Sequence, residues 1–148
     1  MKHICKYIVF IYCFLSLYSC EIKTTDPNQS YKFWTGDEVK PDSFQVLKGQ
    51  YWKSAHFTNE YIAYFKIKSI KNWDDYLKKK LFQVDSIVND SIKQILSKPV
   101  IPSDAPEWFK LEDDFVQYTI DTIPDVFNQN LYFLDKKENI WYIYEIQL

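Results

Sequence analysis

Hydrophobic and polar positions follow two different periods along this chain, and the change of period marks the elements. Residues 61–68, YIAYFKIK, are aromatic and β-branched, with lysine on one parity only, as in a strand with one partly wet face. The period then lengthens. Trp73, Tyr76, Leu77 and Leu81 fall on one helical stripe, Asn72 can cap it, and Asp75 follows three residues later. Asp74 precedes Lys78 and Asp75 precedes Lys79 by four residues, the favourable order for the helix dipole. A second helix is predicted from about Ser86 to Leu96, with Val88, Ile92, Ile95 and Leu96 inward and Lys98-Pro99 ending it. The stretch PVIPSDAPEWFK reads as a proline-punctuated turn region, with Pro106 opening a short helical turn that carries Trp108 and Phe109. Phe115–Ile120, Leu131–Leu134 and Ile140–Ile146 read as strands, the last two forming a hairpin around DKKEN. Strands, then helix, then strands without regular alternation predict an α+β fold: an antiparallel sheet with one or two helices packed on one face.

The first thirty residues behave differently. Lys2 and Lys6 open a basic start, and the apolar run from Ile8 to Leu17 is too short to span a ~30 Å hydrocarbon core, which fits a signal peptide. The run ends in Leu17-Tyr18-Ser19-Cys20, which resembles the lipobox of bacterial lipoproteins. That resemblance implies cleavage after Ser19, lipidation of Cys20 and a signal peptide over residues 1–19, although Tyr18 is bulkier than usual at its position. Two or three acyl chains, at about 0.8 kcal/mol per buried methylene, hold far more firmly than one. Residues 21–30, EIKTTDPNQS, read as a polar tether reaching at most about 35 Å. A single domain is then expected over 31–148.

Charge and composition narrow the function. The eighteen basic residues are all lysine; two precede Cys20, leaving sixteen against 20 carboxylates and a net charge near −4. Without arginine, the usual bidentate phosphate ligand, nucleic-acid binding is not expected. Cys5, Cys13 and Cys20 are the only cysteines, so the domain after Cys20 offers no disulfide framework and no cysteine-ligated metal. Two glycines, Gly36 and Gly49, stand where about ten would be usual, which excludes a glycine-built phosphate loop. No cofactor is expected.

Catalytic constellations are sparse. His56 lies four residues before Glu60 in SAHFTNEY, yet a metal site needs three or four ligands and no second histidine follows Cys20. A hydrogen-bonded loop histidine explains it, with a small hydrolase around His56 as the alternative. The acidic pairs Asp37-Glu38 and Asp74-Asp75 and the triplet Glu112-Asp113-Asp114 put neighbours on different sides of an element, so they read as solvated charge or helix-start residues. Neither G-x-S-x-G nor S-x-x-K occurs. The aromatic signal is stronger, with 5 Trp, 12 Tyr and 11 Phe. Trp73 is assigned to the core with Trp108 capping it, while Trp34, Trp52 and Trp141 are candidate binding residues, packing being the structural alternative for each. Trp141 shares its strand parity with Ile143 and Glu145.

The series HFTNEYIAYFKIK, NWDDYLKK, PSDAPEWFK and IWYIYEIQL, over about residues 51–148, is similar to a recurring pattern in small lipoproteins of the Bacteroidetes type. The resemblance implies an envelope location, anchored by lipid at the outer membrane on its periplasmic face or the cell surface, rather than an activity. The leading expectation is a non-enzymatic module that binds a protein partner, of the immunity or inhibitor type. A glycan-binding accessory lipoprotein using exposed tryptophans is the alternative.

Overall fold

The computed structural model describes residues 21–55, 59–70, 73–87, 90–96, 101–111, 114–120 and 128–148. The expected signal peptide with Ser19 and Cys20, His56, Asn72 as the expected cap, Val88, Lys98-Pro99, Glu112 and Asp113 lie outside them. In chain order the elements are β1 (Ile22–Thr24), α1 (Pro27–Thr35), β2 (Phe44–Lys53), β3 (Tyr61–Ser69), α2 (Trp73–Lys78), β4 (Phe82–Gln83), a 3₁₀ turn (Val84–Ser86), α3 (Asp90–Leu96), β5 (Phe115–Thr119), β6 (Asn128–Asp135) and β7 (Ile140–Gln147).

Among the described residues, seven strands join one antiparallel sheet in the order β1-β2-β3-β7-β6-β5-β4. Two meanders, β1-β2-β3 and β4-β5-β6-β7, therefore meet where β3 pairs with β7. The connection from β3 to β4 must cross to the far edge. It carries α2 over one face, with Trp73, Leu77 and Leu81 buried. Tyr76 departs from the expected stripe and is 54% exposed, because the buried line runs through positions 73, 77 and 81 and leaves 76 on the helix flank. Asp74 and Lys78 do pair, at 3.6 Å.

Strand alternation divides the core in two. Ala63, Phe65, Ile67, Trp141 and Ile143 face α1 and α2, whereas Tyr64, Leu131, Phe133, Tyr142 and Tyr144 face the turn segment 101–111. Helices α1 and α2 thus share one face, and the proline-rich turns cover part of the other. There Phe109 N–H donates to the Pro106 carbonyl at 2.7 Å, and Phe109 packs edge-on to Tyr64 and Tyr142. Trp108 belongs to this second cluster, so it does not cap Trp73, which lies across the sheet. Central β7 is buried from Ile140 to Glu145, which explains its unbroken run of apolar residues. The β6-β7 turn uses DKKEN as expected. Asp135 Oδ1 accepts from the N–H groups of Lys137 and Glu138, and Asn139 takes the left-handed φ of 54°.

The tether expected over residues 21–30 is folded. Ile22, Lys23 and Thr24 pair with Lys53, Trp52 and Tyr51, and the domain begins by residue 21 rather than 31. Asp26 and Pro27 are a helix start: Asp26 Oδ1 accepts from Gln29 N–H at 2.8 Å and Pro27 occupies the first turn. Gly36 closes α1 with φ 79°. The second predicted helix starts later than expected: Ser86 ends a 3₁₀ turn over Val84–Ser86, and α3 begins at Asp90.

Candidate functional site

Helix α1 lies hard against β2. A Cβ on Gly49 would stand 3.0 Å from Ser30 Cβ and 3.1 Å from Pro27 Cα and Phe65 Cε1, so glycine is what permits this approach. Ser30, fully buried, donates its hydroxyl to the Thr24 carbonyl at 3.3 Å. Four residues on, the Trp34 ring packs 4.8 Å from Phe65, and its Nε1 donates to Glu145 Oε2 at 2.5 Å.

Glu145 is the polar centre of this face. It is 5% exposed, and its carboxylate accepts hydrogen bonds from Trp34 Nε1, from Tyr61 OH at 3.1 Å and from Tyr132 OH. The register explains the convergence. Glu145 sits opposite Ala63, whose small side chain leaves room beside the carboxylate, while Tyr61 and Tyr132 reach it diagonally from β3 and β6. Buried carboxylates persist when hydrogen bonds replace their water. Burial, reinforced by this carboxylate, pushes the Tyr61 phenol well above its ordinary value. The outer edge of the cluster continues as a ring stack from Tyr61 through Tyr51 to Phe33, which is 46% exposed.

With α1 clamped, the loop 36–43 that follows it borders two open clefts. The first, about 690 Å³, has α1 residues Asn28, Gln29 and Lys32 as one wall and Val39 and Pro41 of the loop as the other. Its floor is Phe44 and Val46, and Ile70, 37% exposed, stands at its end. The second, about 430 Å³, lies between the loop and α2 and is lined by Tyr31, Trp73 and Tyr76 among others. Glu38 and Phe44 line both. Lys32 Nζ donates to Glu38 Oε1 at 2.9 Å, holding that carboxyl below its usual range. Both partners are exposed, so this pair ties the loop to α1 only weakly.

The first cleft also borders a strand edge, at whose start Phe44 N–H donates to the Lys40 carbonyl at 3.2 Å. β1 pairs only with residues 51–53, so among the described residues the outer edge of β2 from Phe44 to Gln50 has no neighbouring strand. An apolar floor, a polar rim and a free strand edge suit recognition of an extended chain.

The three candidate tryptophans are not brought together. Trp141 is fully buried, packed 5.3 Å from Tyr118, which corrects its reading as a binding residue: β7 is interior, and alternation turns position 141 into the core. Trp34 is half-buried and committed to Glu145. Trp52, half-buried on the opposite face of the sheet, donates its Nε1 to Glu21. Sequence reasoning passed over Glu145 even though its parity with Trp141 and Ile143 was visible; an acid on the inward parity of an apolar strand was the signal. It also passed over the cleft, which forms between segments distant in sequence. Comparison with family models, curated proteins and solved structures finds no match.

Proposed function

We propose that this chain is a lipid-anchored envelope protein, held through Cys20, whose domain is a non-enzymatic module that seats an extended segment of a protein partner in the first cleft. One observation carries the reading of the domain: the cleft runs along the unpaired edge of β2 between a clamped helix and a charged loop. Strand addition there supplies main-chain hydrogen bonds, and Phe44, Val46 and Ile70 supply apolar contact. A toxin or enzyme reaching the envelope is the partner class that the immunity or inhibitor reading expects. The glycan alternative loses support because its platform needs exposed indole faces, and Trp141 and Trp34 are engaged in the interior.

The test places a photoreactive amino acid at position 70 or position 29 of the full chain in cells, both lining the cleft, with position 120, exposed on the far side of the sheet, as control. The expected result is a covalent adduct of one defined mass from 70 and 29, absent from 120 and abolished by Val39→Asp. Equal labelling at all three positions, or measured turnover of an envelope substrate by the purified chain, overturns the proposal. Labelling with a palmitate analogue, lost in Cys20→Ser, tests the anchor independently.

A further inference from the structure

The sheet face opposite α1 is unevenly covered. Residues 101–111 pack over β6, β7 and the adjoining part of β3, while the outer corner built by β1, β2 and β3 carries Lys23, Lys48, Lys66 and Lys68 with Trp52. The register places them together. Lys23 pairs with Trp52, Lys48 with Lys66, and Gln45 with Lys68, and Lys66 Nζ lies 5.0 Å over the ring of Tyr142, which marks the face. No residue of β1, β2 or β3 is acidic; Glu21 accepts from Trp52 at the outer edge, and Asp104 of the covering turn segment stands near Tyr64 and Tyr144 on the inner side. A chain of net negative charge thus concentrates cations on a surface about 23 Å long and 10 Å wide.

Chain length says what this surface meets. One residue, Glu21, separates Cys20 from β1, so a lipidated Cys20 would hold the corner strand within roughly 7 Å of the bilayer. That leaves no tether for the domain to turn on. We propose that the lysine-bearing face of β1–β3 lies against an anionic phospholipid surface, with Trp52 at headgroup level. This rests on the anchor reading above. Lysines near such a surface each strengthen attachment about fivefold, and the amphipathic indole suits the interface. The cleft, on the α1 side of the sheet, is then turned away from the lipid.

The full chain, purified in detergent and reconstituted into vesicles of phosphatidylcholine alone or with phosphatidylglycerol added, tests this. The readouts are the rate of amine labelling at each lysine and the mass of the N-terminal peptide. Lys23, Lys48, Lys66 and Lys68 are expected to react about fivefold more slowly on the anionic vesicles, with Lys32 and Lys78 unchanged. High salt should abolish the difference, and substitution of any three of the four lysines by glutamine should abolish it at the remaining one, in a chain of unaltered circular dichroism. Equal rates on both vesicle types in a chain whose N-terminal mass carries acyl groups overturn the docking face and leave the anchor standing. An unacylated mass overturns the anchor, while charge-dependent protection in that same sample still supports the face. Stronger protection by a soluble acidic polysaccharide than by vesicles of equal charge overturns the lipid assignment.

Discussion

Among the described residues, Glu145 has three hydrogen-bond donors and no cation as partners, so its burial can be tested atom by atom. Tyr132→Phe removes a single oxygen from a residue that is 3% exposed. A hydrogen bond to a charged acceptor contributes about 1.5–3 kcal/mol, and water cannot replace it at this depth. The expected loss is therefore about 2 kcal/mol, or roughly 8 °C in Tm for a domain of this size. Tyr61→Phe should cost less, about 1 kcal/mol, because Tyr61 is half-buried and solvent can partly substitute. Glu145→Ala leaves three donors facing a small void and should cost about 3–5 kcal/mol. The decisive measurement is the cycle combining Tyr132→Phe with Glu145→Ala. If the phenol acts through this carboxylate, Tyr132→Phe becomes nearly neutral once Glu145 is gone, giving a coupling energy of about 1.5–3 kcal/mol. Urea unfolding followed by tryptophan fluorescence and far-UV circular dichroism reports all four species. Additive losses, with coupling below about 0.5 kcal/mol, would refute the carboxylate as the centre that clamps α1.

Three further outcomes follow from other parts of the structure. Gly49→Ala forces a Cβ to within 3.0–3.1 Å of Ser30, Pro27 and Phe65 and should cost about 1–3 kcal/mol in urea unfolding, whereas a neutral effect would mean that α1 does not sit tightly on β2. Asp26→Ala removes the cap of α1 and should cost about 1 kcal/mol, with Asp26→Asn retaining most of the stability; equal losses in both would refute the cap. Burial raises the phenols of Tyr64 and Tyr144, which stack at 5.0 Å, and that of Tyr144 is pushed up to about 12 from an ordinary 10.0, with Asp104 reinforcing the effect. The unfolded chain therefore releases these protons first, so stability is full below pH ~10 and falls as pH rises from about 10 to 12. Urea midpoints across that range, read beside phenolate absorbance, check the sign; a midpoint that holds steady to pH 12 contradicts it.

Elements whose pattern is local were legible in the residues alone. YIAYFKIK contains its own alternation, IWYIYEI its own burial on both faces, and DKKEN its own turn, so β3, β7 and the last hairpin stand where expected. The antiparallel α+β class followed from their order. Residues 21–30 misled because polarity and a proline suit a tether, while the same Asp26-Pro27 pair starts a helix once Ser30 and Gly49 give that helix a floor. The short polar strand β1 has almost no period to read, and it exists because β2 offers it an edge.

The candidate site was decided at the tertiary level for the same reason. Trp141 and Trp52 are alike as local residues, yet one lies in a central strand and the other beside an edge, and strand order is a pairing between distant segments that no window of sequence contains. The carboxylate of Glu145 meets a helix 111 positions earlier in the chain, and the clefts open where that helix, its loop and β2 come together. Side-chain periodicity records which way a residue points from its own backbone. What it points at depends on long-range register, which only the assembled sheet supplies.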